Sequence, residues 1–290
     1  MLNIIELFQL YPVFYLATIF TLGLLVGSFL NVVILRLPIM MKGEWWDSCR
    51  ELLEIDIDTS KRDPFNLITP RSRCPKCQHK ITALENIPVI SYLFLKGKCN
   101  NCDNHISIRY PLVELTSAIA VTLVAYYFGV STQAVFAIFL TWALIALSMI
   151  DFDHQLLPDD ITLPFLWIGI TLSFFNIFTD IESSVLGAIF GYGILWLVYI
   201  SFKIITGKEG MGHGDFKLLA MFGAWFGWQS LPLIIILSSV VGAVIGLSLI
   251  VFKSHDRNTA IPFGPYLAIA GWVYLLWGPY LMSVYLNAVI

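Results

Sequence analysis

The chain has 290 residues, 58% hydrophobic and 13% charged, with a formal net charge of -3 and a mean hydropathy of +0.78. Seventeen Lys and Arg with twenty Asp and Glu are too few to solvate a water-soluble domain of this size, so an ordinary soluble enzyme is excluded. Nothing in the charge pattern points to nucleic acid; the partner implied first is membrane lipid.

Residues 1–10 carry Glu6 and no Lys or Arg, so the positive start of a cleavable signal peptide is missing. The apolar stretch 12–35 is long enough for a retained span. A polar insert follows, from about 36 to 110. It holds twelve of the 17 Lys and Arg. Its first part, with Trp45, Trp46 and an acidic run from Glu51 to Asp58, predicts a short helix followed by loop. Further spans are expected at 111–129, 132–150, 161–179, 184–203, 214–229, 231–252 and 261–283, eight in all with the first. The fold class is therefore an all-α polytopic membrane protein of about eight transmembrane helices. The domains read as a first transmembrane helix at 1–35, an insert at 36–110 and a membrane body at 111–290.

Positive charge sets the orientation. With the insert in the cytoplasm and eight crossings, Lys203, Lys208, Lys217, Lys253 and Arg257 also fall on the cytoplasmic side, and the N-terminus lies outside. Asp180 and Glu182 then occupy an outer loop.

The insert carries Cys74-Pro75-Lys76-Cys77, 21 intervening residues, then Cys99-Asn100-Asn101-Cys102. Two CxxC pairs at this spacing suit tetrahedral zinc, and four thiolates leave no open position for catalysis. The small insert lacks a large core, so a structural metal at Cys74, Cys77, Cys99 and Cys102 would order it. A redox role for the thiols is the alternative. Cys49 has no partner in this pattern, and His79 and His105 read as surface residues.

Two acidic clusters stand at span ends, where carboxylates are costly and point to function. One runs from Asp151 through Asp153, His154, Asp159 and Asp160. The other is Gly210-Met211-Gly212-His213-Gly214-Asp215. The topology above puts both at one membrane face, so Asp151 and Asp215 can share a site. Of two such carboxyls one keeps a proton; the charged one activates water and the neutral one protonates the leaving amine. The glycines before Asp215 leave room for an extended substrate strand. The plainer reading makes Asp215 a cap of the sixth helix, and Asp159 and Asp160 caps of the fourth. Rival functions are a magnesium-dependent membrane transferase built on the acidic clusters, a proton-coupled transporter, and a zinc-sensing scaffold.

A family resemblance joins these pieces. Gly27-Ser28-Phe29-Leu30-Asn31-Val32-Val33 with Arg36-Leu37-Pro38 resembles the opening of bacterial type IV prepilin peptidases. Glu85-Asn86-Ile87-Pro88, Ser91-Tyr92-Leu93, Gly97-Lys98-Cys99, Arg109-Tyr110-Pro111-Leu112-Val113-Glu114 and Pro262-Phe263-Gly264-Pro265 continue it in order. The Asp151 segment with Leu157-Pro158-Asp159, and the GxGxGD loop ending at Asp215, are similar to that family's two catalytic motifs. The resemblance implies an aspartic endopeptidase of the bacterial inner membrane. Such enzymes remove the short basic leader from prepilins and type II secretion pseudopilins, commonly at a Gly–Phe bond. It implies Asp151 and Asp215 as catalytic residues and the four cysteines as zinc ligands. With the insert present it also implies N-methylation of the new N-terminus by S-adenosylmethionine. No GxGxxG marks a soluble cofactor fold; Asn31, Arg36, Glu85, Asn86 and Glu114 are candidates to bind the methyl donor, with anchoring of the insert as the alternative for Arg36 and Glu85. Asp153, Asp159 and Asp160 either attract the basic leader or solvate a loop. His213, beside Asp215, is expected to tune the pH profile modestly. Gly187 and Gly191 form a GxxxG that serves either oligomerisation or packing within the chain.

Overall fold

A computed structural model describes residues 3–55, 65–208, 210–253 and 262–289. The end of the acidic run at Asp58, the basic residues Lys61 and Arg62, and Arg257 lie outside them. Among the described residues the regular structure is helical, apart from two isolated antiparallel bridges in the insert. The helices are α1 (Ile4–Leu10), α2 (Pro12–Leu52), α3 (Ile90–Phe94), α4 (Arg109–Phe128), α5 (Thr132–His154), α6 (Asp159–Ser173), α7 (Ile181–Thr206), α8 (His213–Phe226), α9 (Leu231–Lys253) and α10 (Gly264–Val289).

Each of the eight expected spans coincides with a helix, but six of them, α2, α4, α5, α7, α9 and α10, are long and apolar enough to cross a membrane. Helices α6 and α8 have 15 and 14 residues, about 21–23 Å at 1.5 Å per residue against a core of about 30 Å. The sequence reading ran both too long. α6 stops at Ser173 before a turn in which Asn176 has φ 50, and α8 stops where Gly227 takes φ 81.

A second difference concerns the start of the insert. Where a separate short helix followed by loop is expected, α2 continues without a break to Leu52, for 41 residues. That is about 60 Å, twice the apolar thickness. Pro38 lies inside the helix and costs it one backbone hydrogen bond. The flanking residues are mostly unbranched helix formers, and no turn cluster follows to end it.

The chain divides into two compact units, Met1–Val130 and Ser131–Ile290. In the first, α2 and α4 pack antiparallel along a stripe of small residues. A Cβ on Gly23 would stand 2.6 Å from Ala118 Cα, and one on Gly27 2.7 Å from Glu114 Cα. One turn further, Asn31 Nδ2 donates to the Tyr110 carbonyl at 3.1 Å, and Ser117 Oγ donates to the Gly23 carbonyl at 2.8 Å. Each turn along α2 is thus matched by a turn back along α4. This is the close approach that small residues permit between apolar helices.

In the second unit α7 packs on α8, α6 on α8, α9 on α10 and α10 on α5. Helices α7 and α8 touch backbone to backbone: a Cβ on Gly187 would collide with the Gly223 carbonyl oxygen. Ser184 Oγ donates to the Ala224 carbonyl at 2.7 Å in the same contact. Gly191 meets Leu219 and Ala220, so both glycines of the GxxxG are engaged within the chain. Trp225, buried on α8, satisfies its indole N–H on the Phe165 carbonyl of α6 at 2.7 Å.

Candidate active site and metal centre

Asp151 lies on the face of α5 that carries Leu144 and Leu147, one helical turn apart and both buried. It is 6% exposed, whereas Asp153 on the other face and His154 at the end of the helix are exposed. Gln155 then turns left-handed and ends the helix, its N–H donating to the Asp151 carbonyl at 2.8 Å. The carboxyl is held from α10: the Gly264 N–H donates to Asp151 Oδ2 at 3.0 Å. A Cβ at Gly264 would stand 2.5 Å from that oxygen, so only glycine lets the backbone come this near. Sequence reasoning noted the motif around Gly264 and did not see this role.

Asp215 is 7% exposed, on the first turn of α8. The N-cap is Gly212 rather than Asp215, whose N–H donates to the Gly212 carbonyl at 3.3 Å; its carboxyl lies within electrostatic reach of Asp151. Leu157 wedges beside both glycine-lined starts, within 2.8 Å of a Cβ on Gly214 and 3.2 Å of one on Gly264. The end of α5 and the starts of α8 and α10 therefore meet around two nearly buried carboxyls. His213 turns elsewhere. Its ring packs on Tyr199 and Phe216, 5.1 and 5.4 Å between centroids.

Asp159 and Asp160 are first-turn residues of α6, and Pro158 occupies the N-cap position expected for them. They still favour the positive end of the helix. Both carboxylate oxygens of Asp159 accept from Lys217 Nζ at 2.7 Å, a solvent-accessible pair worth at most about 1 kcal/mol.

The four insert cysteines come together. Their sulfurs all lie within 4.8 Å of one another, with Cys74–Cys102 at 3.7 Å and Cys77–Cys99 at 3.9 Å. A disulfide needs about 2 Å, and all five cysteines are free. Tetrahedral thiolates at about 2.3 Å from a zinc ion would sit about 3.8 Å apart. The two loops are built alike. The Cys74 N–H donates to the His79 carbonyl and the Cys99 N–H to the Asn104 carbonyl, each at 2.9 Å. In each, the residue after the second cysteine, Gln78 or Asp103, turns left-handed and donates to the first cysteine's carbonyl at 3.0 Å. This group can hold a metal ion.

Beside the knuckles lies a cavity of about 490 Å³ within the first unit. Asn31, Arg36, Glu85, Asn86 and Glu114 all line it, together with Ser91, Tyr92 and the buried Cys74 and Cys99. Four of the five candidates already serve the protein's own backbone or loops. Arg36 donates to the Asn66 and Pro70 carbonyls at 2.8 and 2.6 Å, anchoring the insert to α2. Glu114 Oε2 accepts from the Val89 N–H at 2.7 Å. Glu85 accepts from the Thr82 N–H at 2.8 Å and hydroxyl at 2.9 Å, with His79 Nε2 at 3.3 Å. The Thr82 backbone bond, then its hydroxyl, holds the Glu85 carboxyl down to about 2. Tyr92 and Ser28, also lining the cavity, stand in the family-like motifs but were not named as site candidates, because neither carries charge.

An all-helical membrane protein with two adjacent buried carboxyls and a four-thiol cluster is the class that fold and site define. The Bacterial Peptidase A24 N-terminal domain matches residues 21–128, and the Type IV leader peptidase family matches residues 138–247. The chain belongs to the type IV leader peptidase family. A Prepilin leader peptidase/N-methyltransferase of Stutzerimonas stutzeri is 55% identical over 276 residues, 95% of each chain. Proteins of the same name from Pseudomonas aeruginosa and Legionella pneumophila are 51% and 43% identical, covering 96% of this chain and 95% and 96% of their own. No solved structure matches the chain.

Proposed function

We propose that this protein is a leader peptidase and N-methyltransferase of the bacterial inner membrane, cleaving prepilins and pseudopilins at Asp151 and Asp215. The observation that carries the peptidase is the convergence of these two nearly buried carboxyls at the ends of three helices. One carboxylate takes a proton from water as the oxygen attacks the scissile carbonyl. The other carboxyl gives its proton to the departing amine, and the peptide C–N bond breaks. The exposed Asp153 and Asp160, beside the Asp159–Lys217 pair, form a net negative rim that suits a basic leader. Charge distribution favours a periplasmic N-terminus with the insert and the aspartates on the cytoplasmic side.

Four cysteines at 3.7–3.9 Å suit structural zinc, which when bound supplies order rather than chemistry. The cavity falls within the size range of small-molecule sites, and we assign S-adenosylmethionine to it. Asn86 stands at its polar wall, while Asn31, Arg36, Glu85 and Glu114 hold the walls in place. The relatives' shared name supports both activities.

The test is to incubate the purified protein with a synthetic prepilin and S-adenosylmethionine and take intact masses of the product. Leader loss plus one methyl group is the expected result. Cleavage without added methyl removes the transferase; an intact substrate with folded protein removes the peptidase.

A further inference from the structure

Residues Ile87 to Leu95 contain no charge and lie between Glu85 and Lys96. A run this short cannot cross a bilayer. Val89, at its start, has φ 60 and ψ -46, a strained conformation for a β-branched residue, and the Ile90 N–H closes the turn on the Pro88 carbonyl. The turn is pinned by the Val89 N–H donating to Glu114 Oε2 at 2.7 Å.

That bond fixes the depth of the segment. Glu114 lies about 7–8 Å along α4 from Arg109, at 1.5 Å per residue. It faces Gly27 of α2, about 13 Å along that helix from Arg36 by the same rise. Helical side chains lean toward the helix N-terminus, so the Glu114 carboxylate ties the Val89 backbone within about 7–8 Å of the Arg109 level, at the border of the α4 apolar zone. Helix α3 follows directly. Ser91, Tyr92 and Leu95 turn to the cavity. Ile90, Leu93 and Phe94 turn away from it, 49%, 68% and 83% exposed. Lys96 and Lys98, exposed just beyond, are placed to meet lipid phosphates.

We infer that Ile87–Leu95 is a membrane-anchoring segment, with Ile90, Leu93 and Phe94 inserted among the acyl chains of the phospholipid leaflet on the insert's side. Interfacial helices bury their apolar face about 5–10 Å deep, a range that includes the distance of Glu114 from Arg109 along α4. The α3 wall of the cavity then sits at the membrane surface rather than out in the aqueous insert.

The experiment places the unmodified full chain in phosphatidylethanolamine/phosphatidylglycerol nanodiscs and labels it in parallel with two reagents. One is a phospholipid carrying a diazirine on its acyl chain; the other is a water-soluble diazirine. Labelled peptides are mapped by mass spectrometry. The lipid-to-water labelling ratio at Leu93 and Phe94 is expected to exceed that at the knuckle residues Lys76 and Asp103 by about tenfold, approaching that of exposed Phe139 in the α5 span. A ratio equal to the knuckle's, or labelling by neither reagent, overturns the inference. Neither reading depends on enzymatic activity.

Discussion

Asp151 is positioned by a backbone donor, not a side chain, and that makes its neighbour the sharper probe. Gly264→Ala would press a methyl to 2.5 Å from Asp151 Oδ2 and displace either the carboxyl or the start of α10. Misplacement on this scale costs about a hundredfold in rate. Cleavage kinetics of Gly264→Ala are therefore expected to show a fall of about that size in kcat, with the protein still extractable and folded. An unchanged kcat would separate Gly264 from the chemistry. The aspartates were legible in the sequence because carboxyls at span ends are rare and costly. Gly264 was not, because its part depends on α10 reaching α5, a contact that no local pattern encodes.

At the scale of elements, the GxxxG of α7 illustrates how far a pattern reads. Its small residues announced a close helix contact; only the fold shows that the partner is Gly223 of α8, in the same chain. Gly187→Leu is expected to destabilise the protein by about 1–3 kcal/mol or more through overpacking, seen as a lower unfolding temperature in detergent. Gly193→Leu is the control, because a Cβ there meets nothing within 4 Å. Equal effects of the two would deny the α7–α8 contact its importance. The knuckles were legible for the same reason as the aspartates, since their spacing is local and chemically specific. Elemental analysis is expected to find one zinc per chain, and Cys99→Ser to lose it. Because Cys74 and Cys99 also line the cavity, that variant should bind the methyl donor more weakly; unchanged donor binding would uncouple metal from cavity. The extension of α2 to Leu52 was illegible because a hydropathy window ends a span at its first charges, whereas helix propensity continues through them.

At the scale of the whole molecule, the chain carries its two sites in two units. The cavity and the thiol cluster belong to the first, and the aspartates to the second. Hydropathy located each of the six described helices long enough to cross a membrane, yet it could not measure α6 and α8, whose ends are set by backbone turns at Asn176 and Gly227. The number of crossings therefore rests on charge placement as well as length. The most direct measurement assays Asp151→Asn and Asp215→Asn on two substrates, an intact prepilin and a pilin already freed of its leader. Each variant is expected to lose at least about a hundredfold in cleavage while still methylating the pre-cleaved N-terminus. Cleavage at the wild-type rate by either variant would contradict the account of the paired aspartates, and loss of both activities in a folded variant would contradict the separation of the sites.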